Sequence, residues 1–146
     1  MASSNTLRPP WHFWLIAVTS LVWNCGGPID WVMTKTHNAG YLAEMTPAQR
    51  AWFASYPWWM EAAWALGVWG AIIGSLLLLS RSRFAVPVLE VSLAGLIVVT
   101  MYQYGISGMP ASLRTPGGVA FTAALWAVAA GLLWFAVRMR GRAILR

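Results

Sequence analysis

Residues 57–84 read PWWMEAAWALGVWGAIIGSLLLLSRSRF. From Pro57 to Ser80 the only ionisable side chain is Glu61, and a bilayer core asks for about 20 consecutive apolar residues in a crossing helix. This stretch therefore reads as a membrane span, opening on interfacial Pro57-Trp58-Trp59 and closing on Leu76 to Leu79. Arg81-Ser82-Arg83 makes a tight basic turn. A second apolar run follows from Phe84 to about Ile106, with Pro87 tolerable in its first turn, so the pair is expected to form a helical hairpin. Two further runs lie outward of the pair, Trp11 to about Met33 and Val119 to Val137. The expected fold is all-α: an integral membrane four-helix bundle, antiparallel, with spans at about residues 11–33, 57–80, 84–106 and 119–137 in a single domain over residues 1–146.

Composition excludes the alternatives. Hydrophobic residues make up 59% of the 146 and charged residues 10%, where a soluble domain carries about 25% charged. Four spans use most of the length, so there is no room for a second domain. Eleven tryptophans suit interfacial belts and packed aromatic faces. The net charge of +6 comes from residues that flank the apolar runs and form no basic helix or aromatic-interleaved patch, so no nucleic acid partner is expected. The lone Cys25 permits no internal disulfide and no cysteine-based zinc cluster. The first run ends in Trp23-Asn24-Cys25-Gly26-Gly27-Pro28 without a small-residue cleavage site, and is expected to remain as an anchor.

Local signals refine the spans. Met1 to Pro10 is polar and breaks at Pro9-Pro10. Gly26-Gly27-Pro28 removes a backbone donor, which predicts a kink or an early end near Gly26, with Asn24 satisfying the freed groups. Thr46-Pro47-Ala48-Gln49 combines an N-cap threonine, an N1 proline and a capping-box glutamine, which predicts a short helix over residues 47–55. With Trp52 and Phe53 beside Gln49 and Arg50, that helix is expected to lie at the membrane surface between spans one and two. Lys and Arg set the orientation: Arg8, Arg81, Arg83, Arg138, Arg140, Arg142 and Arg146 fall on one side and Lys35, Arg50 and Arg114 on the other. The bias predicts both termini in the cytoplasm and argues against dual topology.

Small residues predict how the spans meet. Ala63, Gly67, Gly70 and Gly74 recur at helical spacing and are expected to form a helix-packing face, with Gly70 and Gly74 in a GxxxG pattern. Ser92 and Gly95 offer the same on span three, and Ala120, Ala124, Ala127 and Gly131 on span four.

Polar groups inside apolar runs carry the functional reading, because each is costly at depth. Asp30, Glu61, Tyr102, Gln103 and Tyr104 fall at similar depths, and together with Asn24, Trp31 and Trp64 would make a candidate polar pocket with aromatic walls. The competing reading is an interfacial layer meeting headgroups, with Glu61 snorkelling. Glu90 is expected to pair with Arg81 or Arg83. His12 and His37 fall on opposite sides, so no metal site and no haem are expected, and no other cofactor is indicated. Met45, Met60 and Met101 read as packing. Two carboxylates without a nucleophile or an oxyanion motif predict no enzyme.

Several pieces resemble a group of small four-span bacterial inner-membrane proteins, some of them labelled sugar transporters. These are Trp23-Asn24-x-x-Gly27-x-x-Asp30, Tyr56-Pro57-x-Trp59-x-x-Ala62-Ala63-Trp64-Ala65-Leu66-Gly67-Val68-Trp69-Gly70, Gly74-Ser75-Leu76-Leu77-Leu78-Leu79, and Ser92-Leu93-x-Gly95 before Tyr102. The resemblance covers residues 20–105 and implies a bacterial inner-membrane location, without supplying a substrate. Apart from the lipid bilayer, the expected partners are other membrane-protein subunits or further copies of the chain. The leading expectation is an accessory or stabilising subunit of a larger complex, since no internal repeat of the kind common in transporters is visible. The alternative is a sugar-like solute transporter acting as an oligomer.

Overall fold

The computed structural model describes residues 8–146; the first seven residues of the polar leader lie outside them. The described chain is all-helical. In order come α1 (Trp11–Asn24), α2 (Gly26–Lys35), α3 (Ala39–Ala43), α4 (Pro47–Ala54), α5 (Trp58–Leu79), α6 (Ala85–Met101) continued by a π-helical turn over Tyr102–Ile106, and α7 (Pro116–Gly141). Three helices are long and apolar enough to cross a bilayer: Trp58–Leu79, Ala85–Ile106 and Pro116–Gly141. The 22 residues of α5 extend about 33 Å at 1.5 Å per residue, the thickness of a hydrocarbon core.

The first apolar run is divided where Gly26-Gly27-Pro28 predicts, at Cys25, whose helical dihedrals (φ −65°, ψ −28°) let α1 lead directly into α2. Asn24 does not mend the break. Its Nδ2 donates to Ser75 Oγ at 2.9 Å and to the Ala71 carbonyl at 3.5 Å, which pins α1 to α5. The last helix is longer than the expected 119–137, because Pro116 starts it at N1 and the Thr115 hydroxyl caps it through Gly118 N. The short α3 was not foreseen. It begins where His37 turns the chain at φ +51° and Asn38 caps Tyr41 N.

The α5–α6 pair is the spine. A Cβ on Gly95 would lie 2.6 Å from the Ala63 carbonyl oxygen and 2.7 Å from Gly67 N, so the two backbones touch there and only glycine fits. Ser92 packs against Gly70 and Leu89 against Gly74, and Ser92 Oγ donates to the Gly67 carbonyl at 2.6 Å. Ala63, Gly67, Gly70 and Gly74 therefore lie on α6. Small residues at this spacing gain dispersion contact and an interhelical hydrogen bond, the attractions that act between helices where apolar surroundings offer no hydrophobic gain.

Seven basic residues gather at one end of the helices, here called the basic end; the other is the loop end. At the basic end Phe13, Ala17, Leu78, Val86, Leu89, Phe135, Ala136 and Met139 form a core, completed by Ile144 and Leu145 from the tail. The tail folds back because Ala143 adopts φ +55°. It is held by Arg83 N to the Arg146 carbonyl (3.0 Å), Arg146 N to the Arg81 carbonyl (2.8 Å) and Arg81 Nε to the Ile144 carbonyl (3.1 Å). At the loop end Trp52, Tyr56, Met60 and Met109 form a smaller, aromatic core.

Candidate functional site

Between the two cores, α1 and α2 stand apart from α7, and the space they border with α5 and α6 is a partly open cavity of about 580 Å³, inside the roughly 300–1,000 Å³ range of small-molecule pockets. Each end is closed by a different device. Leu89 and Leu132 floor it at the basic end, and both belong to that core. Trp52 and Phe53 of α4 cover it at the loop end.

The cover follows from local sequence. Thr46 and Gln49 make both bonds of the capping box, with Pro47 at N1, and this fixes the start of α4. The resulting helical spacing turns Trp52 and Tyr56 to the same side. Trp52 is only 6% exposed, and its Nε1 donates to the carbonyl and hydroxyl oxygens of Ser107 at 3.2 and 3.1 Å. Tyr56 packs edge-on against Trp52, Trp64 and Tyr102, and Phe53 stacks on Trp64 at 5.9 Å. Trp52 of α4 points into the protein together with Tyr56, and the Ser107 oxygens supply the polar partner that a buried indole needs.

Of the candidate pocket, Asn24, Asp30 and Tyr104 line the cavity, together with Gln103 and Trp64; Glu61, Tyr102 and Trp31 do not. Glu61 forms an ion pair with Lys35, tying the end of α2 to the first turn of α5. Both side chains are about a third exposed, and a pair so placed contributes under about 1 kcal/mol. Tyr102 turns toward Tyr56 and Trp59, and Trp31 packs edge-on against Trp69 at 6.3 Å. Glu90 is also corrected. It is exposed on α6 and pairs with neither arginine among the described residues.

Asp30 accepts a hydrogen bond from the Tyr41 hydroxyl. Burial, then the hydrogen bond to Asp30 and that carboxylate's charge, push the Tyr41 hydroxyl up to about 12, so it stays protonated and acts as the donor. Sequence reasoning missed Tyr41 because eleven residues and a turn separate it from Asp30. The signal was Asn38, an N-cap type that starts a helix just where the chain must reverse. Gln103 donates from Nε2 to Tyr56 Oη at 3.0 Å. Tyr104 reaches the other way, to Thr122 Oγ1 on α7 at 3.0 Å. These adjacent residues diverge because successive side chains on a helix point roughly 100° apart; the turn that carries them is π-helical, a device common at functional sites. Thr100 Oγ1 accepts from Trp126 Nε1 at 3.2 Å, a second tie between α6 and α7.

The polar groups are not spread evenly. Asp30, Tyr41, Thr100, Gln103, Tyr104 and Thr122 lie toward the loop end, whereas Leu89, Leu125, Ala129 and Leu132 line the half toward the basic end. Asn24 and Ser92, at mid-depth, spend their donors on α5. No group of three or more His, Cys, Asp or Glu able to hold a metal occurs among the described residues. Chemically the site can hold a molecule that is polar at one end and apolar at the other.

Compared with models of protein families, with curated proteins and with solved structures, the chain matches none. The structure by itself defines the class: an all-helical chain with three helices long and apolar enough to cross a membrane, beside a partly open cavity.

Proposed function

We propose that this is a non-catalytic, four-span protein of a bacterial inner membrane, with both termini in the cytoplasm, whose task is to bind a small molecule in its central cavity. The partly open cavity of about 580 Å³ carries this reading: helices packed only for stability close on one another, as α5 and α6 do, while α7 and α1–α2 are held apart around a polar cluster. The fourth span is α1 with α2, whose path over residues 11–35 covers about 37 Å at 1.5 Å per residue. Seven of the ten basic residues at one end favour that end as cytoplasmic. A fluorescent protein fused after Arg146 is expected to glow in a bacterial cytoplasm, and alkaline phosphatase fused there to stay inactive; active phosphatase refutes the orientation.

The binding test uses Ala129→Phe, which fills the cavity from a position on its wall. A panel of small amphiphiles and sugars is added to purified protein and the melting temperature followed. At a ligand concentration 100 times Kd the wild type gains about 2.7 kcal/mol, and the filled variant gains nothing. A panel that shifts neither protein, or both equally, sinks the reading.

Glu90 supports a second role beside this one, as a subunit of a larger assembly. A carboxylate exposed on an outward helix face is costly in lipid and is relieved by a partner's donor. Mild-detergent isolation from native membranes is expected to recover a stoichiometric partner that Glu90→Leu releases.

A further inference from the structure

The cavity is selective in charge as well as in shape. Among the described residues that line it there is one carboxylate, Asp30, and no Lys, Arg or His. The nearest cation along the chain, Lys35, is committed to Glu61. Asp30 is half-buried, a carboxylate drawn out of water costs less when a donor or an opposite charge meets it, and Tyr41 meets only Oδ1. Oδ2 carries no hydrogen bond among the described residues.

Several hydroxyl donors around it are already spent. Tyr41 donates its hydrogen bond to Asp30, and Thr122 donates to the Gly118 carbonyl at 3.1 Å, so the Tyr104 hydroxyl is the donor in its bond to Thr122. Thr100 donates to the Leu96 carbonyl at 2.7 Å. Acceptors remain: Asp30 Oδ2 and Gln103 Oε1. A ligand that fits this head region brings N–H donors and a positive charge. Trp23, Trp64 and Phe53 in the walls add aromatic faces, which attract a cation. A sugar fits poorly, because the hydroxyls of its far side would meet Leu125, Ala129 and Leu132 with nothing to pair them.

We infer that the cavity takes an amphiphilic amine, its ammonium on Asp30 at the loop end and its hydrocarbon tail laid along Leu125, Ala129 and Leu132. The inference rests on the ligand-binding reading above and names its ligand class. Full-length protein in phosphatidylcholine nanodiscs is titrated with octylammonium, 1-octanol and octanoate, which share one tail and differ in the head. Tryptophan fluorescence is read against empty discs, since Trp23, Trp52 and Trp64 border the site.

Octylammonium is expected to bind saturably, and octanol more weakly by roughly ten- to a hundredfold, the weight of a charge-assisted hydrogen bond. Octanoate is expected not to bind. Asp30→Asn is expected to bring octylammonium down to the level of octanol, and Ala129→Phe to abolish both. Because the selectivity is measured on the wild type, the outcome does not depend on Asp30→Asn folding. Equal binding of octanol and octylammonium, lost in Ala129→Phe, overturns the amine and leaves the binding cavity standing. Saturation by none of the three probes overturns the amine, and if the wider panel also fails, the cavity reading falls with it.

Discussion

The contact between α5 and α6 and the gap between α1–α2 and α7 are built from similar residues to opposite effect. Along α5–α6 glycine, alanine and serine interlock until Gly95 leaves no space for a single carbon beside Ala63 and Gly67. Along α7 the small residues confer no such closeness: a Cβ on Gly131 would meet nothing within 4 Å. A stripe of small residues permits approach but does not compel it; what compels it is a complementary partner and a hydrogen bond such as Ser92 to Gly67. On its cavity side, α7 is kept at a distance by contacts at its two ends. These are the Tyr104–Thr122 and Trp126–Thr100 bonds toward the loop end, and Phe135, Ala136 and Met139 with the returning tail at the basic end.

If α7 depends on its ends, releasing the tail should have the largest effect. Ile144 and Leu145 are each only 4% exposed, and truncating a buried Ile or Leu costs about 2–5 kcal/mol. The double variant Ile144→Ala with Leu145→Ala is expected to lose about 4 kcal/mol or more, seen as a much lower melting temperature in detergent and as protease cutting near Arg138 to Arg142. A melting temperature unchanged within error would mean that α7 is held elsewhere.

The α5–α6 contact is probed by two alanines. Gly95→Ala drives a Cβ into backbone atoms of α5, which cannot give way without parting the helices, and is expected to cost about 3 kcal/mol, the upper range for overpacking. Gly74→Ala meets Leu89 Cδ2 and Cγ instead, side-chain atoms bordering the cavity that can shift where backbone cannot, and should cost about 1–2 kcal/mol. Equal losses in chemical denaturation would erase the distinction between the closed side and the open one. The smallest effect belongs to Asn24→Ala, which removes the bond to Ser75 but not Ser75's own bond to Ala71. It is expected to cost about 0.6 kcal/mol, the mean for interhelical hydrogen bonds in membrane proteins.

The helices other than α3 were legible in the sequence, since apolar length and turn chemistry are local. Thr46 to Gln49 announced α4, and Arg81 to Arg83 announced the turn. The site was only half legible. Asp30 and Tyr104 could be gathered by depth alone, but depth says nothing about rotation, and rotation sends Tyr102 to Trp59 and Tyr104 to Thr122. Glu61 shows the same limit: its depth suited the pocket, while the side of α5 it occupies gives it to Lys35. The burial of Ile144 and Leu145 had no local sign in the sequence, because the reversal that buries them rests on one positive φ at Ala143.

The pin from Asn24 to Ser75 also constrains how the protein is made. Its two residues are 51 positions apart, and a ribosome adding about 5–20 residues per second separates their appearance by roughly 3–10 s. Through that interval the first hydrophobic segment holds an unpaired amide, whereas Asp30 meets Tyr41 only 11 positions later. The α5–α6 hairpin waits about half as long, because its Ser92–Gly67 bond spans 25 positions. Assembly is thus ordered against the direction of synthesis: the segment made first is the one that must wait, sheltered by insertion machinery, for the hairpin that gives it somewhere to bind.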